Sequence, residues 1–305
     1  MPSSGEIREQ LEHESELRNR LAVPAFAGGF LYLLSALIIY ETLNGAPTVG
    51  LLQGIAPALS GVANPAVSPR TAEVKFISHH ASSLIIGGAF AAIAFGALTM
   101  ILLVLVDATR FRRPEMWRYA RPLVMVGGAG AALVSIGRQL ASAVQAHSFA
   151  VGSDHSIQAA ERALSNGAAN QIADYLGLLA TLALAVGMVV TLINALRVGL
   201  LIRWMAILGM FVAVLIFFPF GGEELEIVQA FWMVMMGVLY SGKWPNGEPP
   251  AWAAGEARPW PSQARDARST GGAGSTPGSS GAAAIPAPVV APSSRKRRRK
   301  PSARD

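Results

Sequence analysis

Arg138 is the residue whose chemistry most needs an explanation, because it stands inside an otherwise uncharged apolar run. It falls sixteen residues into a segment from Pro122 to about Ala143, or about 24 Å along a helix rising ~1.5 Å per residue. A guanidinium at that depth in hydrocarbon costs roughly 3 kcal/mol or more and needs a partner or a water-filled cavity. Asp174 is the first candidate partner, with Glu41 and Glu226 at similar depth. The simpler reading is a paired arginine that fixes helix register. The sharper one is an outward-opening binding site for an anion or other polar substrate.

The histidines form a second constellation. His79 and His80 precede the second long apolar segment, His147 follows the third, and His155 lies just beyond it. These are four of the five histidines, all on one side of the apolar segments, with Glu73, Asp154 and Glu161 close in sequence. Neutral imidazoles with carboxylates bind Zn²⁺ or Cu²⁺, and His80 with His147 has the chemistry to ligate a haem between two spans. Against this, there is no His-Glu-x-x-His and no histidine deep in an apolar run. Ordinary interfacial histidines are the simpler reading.

Other chemistries lack their residues. The chain has no cysteine, which removes disulfides, thiolate metal sites and cysteine nucleophiles. Gly127, Gly128 and Gly130 imitate a nucleotide fingerprint but lack the third spacing glycine, a preceding strand and a downstream acid. No Gly-x-Ser-x-Gly occurs. The residues therefore point to a non-enzymatic binding or accessory component. A small-solute or ion transporter is the first alternative, and a metal- or haem-binding membrane protein the second. No cofactor is specified.

The elements that must position these residues are membrane spans. Hydrophobic residues make up 52% of the chain and charged ones 14%, against about 25% charged in soluble globular proteins. Apolar segments long enough to span run from about Ala22 to Tyr40, Leu84 to Val106, Pro122 to Ala143 and Tyr175 to Leu196. Two shorter ones come after them, about Trp204 to Phe220 and Leu225 to Ser241. The expected fold is thus an all-α polytopic membrane helix bundle of six transmembrane helices over residues 21–242. Pro24 is placed in the first turn of its span, where a missing N–H is harmless.

Lysine and arginine set the orientation. Arg8, Arg18 and Arg20, then Arg110, Arg112, Arg113, Arg118 and Arg121, then Arg197 and Arg203 put ten on one side. Arg70, Lys75 and Arg162 put three on the other. The ten are expected inside, with both termini. Residues 1–20 read as a separate amphipathic cytoplasmic helix opened by a Ser3–Glu6 capping box. Five glutamates there replace the basic start of a signal peptide.

Two outer connections are long. Val49 to Leu59 is apolar but too short to cross and is broken by Gly54 and Pro57, so it reads as interfacial or re-entrant. Gln145 to Gln171 holds a short helix, with Asp154 as N-cap and Gly167 as stop. Small residues recur at packing spacing: Gly88, Ala92 and Gly96; Gly128 and Ala132; Ala183, Gly187 and Thr191. Such stripes let helices approach closely.

After the last span, residues 243–262 carry Trp244, Trp252 and Trp260 among five prolines. They read as an extended juxtamembrane segment with its indoles at headgroup level. Residues 263–305 are Gly, Ser, Ala and Pro rich and read as a disordered cytoplasmic tail. Its run Arg295, Lys296, Arg297, Arg298, Arg299 and Lys300 fits anionic lipid headgroups. A nucleic-acid partner is not expected despite the basic balance, since positive-inside loops account for much of it; a membrane-protein partner is compatible with the packing stripes. The Ala-, Gly- and Arg-rich usage fits a GC-rich bacterium, hence the cell (inner) membrane. The segment Pro249 to Pro261, PPAWAAGEARPWP, resembles the stretch after the final span in multi-pass membrane proteins of actinobacteria. Residues 20–262 also resemble in outline a bacterial family of unknown function with six or seven spans. The resemblance implies a helical membrane bundle and no particular activity.

Overall fold

Long apolar runs satisfy all their backbone hydrogen bonds by forming helices, and the chain does so. The structure is a computed structural model that describes residues 4–50, 67–218, 226–245 and 247–258. Among these residues the regular structure is entirely helical: α1 Ser4–Asn44, α2 Thr71–His79, α3 Ala81–Arg112, α4 Ala120–Val151, α5 Ile157–Glu161, α6 Ala168–Val198, α7 Arg203–Phe217, α8 Glu226–Tyr240 and α9 Pro250–Ala254. A π-helical turn, Arg162–Asn166, comes directly after α5. All described residues belong to the unit Met1–Ala264; the tail, its basic run and most of Val49 to Leu59 lie outside the described residues.

Four helices, α1, α3, α4 and α6, are long and apolar enough to cross a membrane. The two shorter apolar helices, α7 and α8, have 15 residues each, or about 22 Å against a hydrocarbon core of roughly 30 Å. Packing is sequential and closes on itself. α1 packs on α3, α3 on α4, α4 on α6, α6 on α7, α7 on α8, and α8 back on α1, while α3 also touches α6. The shared core includes Leu98, Ile101, Leu102 and Leu105 of α3, Leu184, Met188 and Leu192 of α6, Met205 of α7, and Trp232 and Met236 of α8.

Several boundaries differ from the sequence reading. α1 is one helix of 41 residues running through Pro24, not an amphipathic segment leading into a separate span. Pro24 therefore lies inside the helix, where it has no N–H to give the carbonyl one turn earlier; packing of α1 on two neighbours holds the helix together across that gap. α4 continues to Val151, so Gln145 and His147 are helical rather than part of a loop. The N-cap of α5 is Ser156, whose hydroxyl accepts the Ala159 N–H, while Asp154 accepts the Ser156 N–H at 3.0 Å. α6 ends at Gly199, whose φ of +84° lets the chain reverse at once. Leu200 and Leu201 are then fully buried before α7 begins.

Glycine positions along the seams are decisive at close range. A Cβ at Gly127 would run into the backbone of Leu184, and one at Gly128 into the Thr99 hydroxyl. A Cβ at Gly187 would lie 2.9 Å from the Val124 amide. The run that imitates a nucleotide fingerprint is thus the α4 face pressed between α3 and α6. Gly96 departs from its expected stripe: nothing lies within 4 Å of where its Cβ would be.

Candidate functional site: a cavity at one end of the helical ring

Because the helices alternate in direction, one end of the ring gathers the C-terminal parts of α1, α4 and α7 with the N-terminal parts of α3, α6 and α8. At that end lies a cavity of about 470 Å³ lined by residues from all six of these helices. α7 stops at Phe217 and α8 starts at Glu226, both in the lining. The polar lining is Ser35, Ser135, Arg138, Gln139, Asp174, Thr181 and Glu226, and the aromatic lining is Tyr32, Phe95 and Phe217.

Arg138 and Asp174 meet across α4 and α6, with an Nη2–Oδ1 separation of 3.3 Å and side chains 62% and 50% exposed. Both residues line the cavity, so the pair is accessible rather than sealed in the core. Glu226 lines the same cavity; Glu41, exposed near the end of α1, does not. The hydroxyls of Ser135 and Thr181 donate to Ala131 O and Gly177 O, each at 2.8 Å, and Ser35 donates to Gly87 O at 2.8 Å. With their hydrogens committed, all three oxygens are left as acceptors.

The histidines are not brought together. His79 ends α2 and is exposed. His80 stacks on Phe76 with centroids 4.0 Å apart, its Nδ1 2.9 Å from Phe76 O. His147 is exposed on α4. His155 lies edge-on to Phe149, and its carbonyl accepts the Ser68 N–H at 2.7 Å. Among the described residues no group of three or more His, Asp and Glu side chains is placed to hold a metal ion. His155 lies against a small apolar cap in which Val74 of α2, Phe149 of α4 and Ala160 of α5 pack together. Asp154, at its edge, has its carboxyl held below the usual range by the Ser156 N–H and hydroxyl.

The opposite end of the ring is closed by residues that sequence reading did not single out. Arg112, at the C-terminus of α3, makes a bidentate pair with Glu14 of α1 at 2.8 and 3.0 Å, with side chains 0% and 5% exposed. Its remaining donors go to Ala108 O and Ala251 O. Arg18 lies 4.5 Å above the Trp252 ring and 3.4 Å from Glu248. Trp252 is nearly fully buried, and its indole N–H donates to Leu200 O at 3.0 Å. The segment expected to be extended with its tryptophans at headgroup level is therefore, as far as Arg258, folded back as α9. Gly255, with φ +66°, presses against Ile7 and Leu11, and the Arg258 N–H reaches Val198 O. The available signal was the pairing of an acidic, Leu-bearing N-terminus with a Trp- and Arg-bearing C-terminal segment. Without a register between them, neither pointed to the other.

The described chain is thus an all-helical protein with four helices able to cross a membrane, hollow at one end and plugged at the other. Compared with protein-family models, curated proteins and solved structures, it gives no match to any of them.

Proposed function

We propose that the chain is a six-span integral protein of a bacterial inner membrane, with both termini inside, that binds a small polar solute in the cavity around Arg138 and Asp174. The observation that carries this reading is the cavity itself. All six apolar helices contribute to it, its volume is in the range of about 300–1,000 Å³ usual for small-molecule sites, and its charged residues sit in otherwise apolar helices. The ring closure supports counting α7 and α8 as spans, since they fill the gap between α6 and α1. The excess of arginine at the plugged end supports placing that end inside, so the cavity faces out. On this reading the protein is a binding or accessory component rather than an enzyme. The test is mass spectrometry of small molecules retained by the purified full chain, compared with Asp174→Ala. A solute retained by the wild type and lost from the variant supports the site; identical profiles remove it.

A transporter is the second reading, favoured by one observation: the cavity is open-ended on one side while ion pairs and Trp252 close the other. That asymmetry is what one state of an alternating-access cycle looks like. Counterflow in proteoliposomes of any solute the protein retains decides between the two. Binding without counterflow leaves a receptor or accessory protein.

A further inference from the structure

We infer that the solute taken by this cavity is a small organic cation, a primary or quaternary ammonium compound, rather than an anion. The inference rests on the cavity being a binding site, as proposed above, and adds its chemical class. Arg138 read alone from the sequence suggests an anion site. Among the described residues it is one of three charged groups in the lining, and the other two, Asp174 and Glu226, are carboxylates. With all three ionised, the described part of the lining is net negative by one charge. Arg138 already has its carboxylate, Asp174, 3.3 Å away, so an incoming anion would have to compete with it.

Three of the neutral polar groups point the same way, while Gln139 offers both donors and an acceptor. Ser35, Ser135 and Thr181 spend their hydrogens on main-chain carbonyls and so are left with acceptor lone pairs, which suit N–H donors or a positive charge. Tyr32 and Phe95, packed edge-to-face at 5.8 Å, and Phe217 put three aromatic rings in the lining. Aromatic faces attract ammonium groups and not carboxylates. The volume of about 470 Å³ is far more than a bare metal ion needs. It fits a cation with an organic body, whose apolar part would rest on Ala36, Ile39 and Val134.

The test uses the purified full-length protein in detergent micelles, with butylammonium, tetramethylammonium, butyrate and butane-1,4-diol as probes at matched ionic strength. Binding is read as a saturable rise in Tm. The expected result is stabilisation by the two ammonium probes and none by butyrate or the diol. Asp174→Asn and Glu226→Gln should each weaken ammonium binding about tenfold or more, one lost charge contact being worth about that much. Glu41→Gln, outside the cavity, should leave it unchanged. Saturable binding of butyrate, lost in Arg138→Gln, would overturn the cation assignment while leaving the site in place. Binding of the diol alone would do the same. No saturable response to any probe overturns the cation assignment, and retention of a solute by the wild type then judges the site separately. The wild-type preference among probes is decisive even where a variant fails to fold.

Discussion

The two arginine–carboxylate pairs look alike on paper and differ in their surroundings. Arg112 and Glu14 are both almost wholly out of solvent, and the Arg112 guanidinium makes four hydrogen bonds, two to Glu14 and two to main-chain carbonyls. Removing one partner leaves the other charge buried and alone, which costs about 3–5 kcal/mol. Glu14→Ala and Arg112→Ala should each lower stability by that amount in denaturant or thermal unfolding. The double change Glu14→Leu with Arg112→Met should cost clearly less than either. Arg138 and Asp174, which line the cavity and are half exposed or more, should behave oppositely. Arg138→Gln combined with Asp174→Asn should shift stability by less than about 1 kcal/mol, as for a solvent-accessible pair. A loss as large as that at Arg112 would mean the cavity is dry.

Helix seams and the C-terminal strap carry the element-scale predictions. Gly127 faces the Leu184 backbone with no room for a methyl, whereas Gly96 faces open space. Gly127→Ala should destabilise by about 1–3 kcal/mol through overpacking. Gly96→Ala should be neutral or slightly stabilising, because alanine is the better helix former. Unfolding of the two variants side by side, in the same detergent, checks both signs. Trp252 fastens α9 to the bundle through burial, its bond to Leu200 O and the Arg18 guanidinium above it. Trp252→Ala should cost about 3–5 kcal/mol and make the chain after Tyr240 sensitive to protease, while Trp244→Ala, partly buried against Trp204, should cost less.

For the molecule as a whole, the native absence of cysteine makes orientation directly measurable. Ser153→Cys should react with an impermeant thiol reagent applied from outside, and Ser262→Cys should not. The reverse pattern would invert the protein and turn the cavity inward. Gly222→Cys tests the two short helices: labelling from outside fits α7 and α8 crossing as a hairpin, and protection until the membrane is permeabilised counts against six spans.

Helix content and the four long apolar helices were legible in the sequence because runs of that length and hydropathy have one way to satisfy their backbone in lipid. The pairing of Arg138 with Asp174 was legible for a related reason: an isolated charge at that depth demands a partner, and few were available. Three things were not. Whether Pro24 ends a helix or is carried through one depends on neighbours that hold α1 on both sides. The sign of the cavity depends on Glu226 arriving from the far end of the chain by closure of the ring. The plug depends on α9 returning to Glu14, Arg18 and Arg112, contacts separated by as many as 230 residues. Sequence by itself determined what must be buried and what must be paired, since both come from local hydropathy and charge. Only the tertiary structure decided which distant groups meet, because that choice is made by how six helices close around one another.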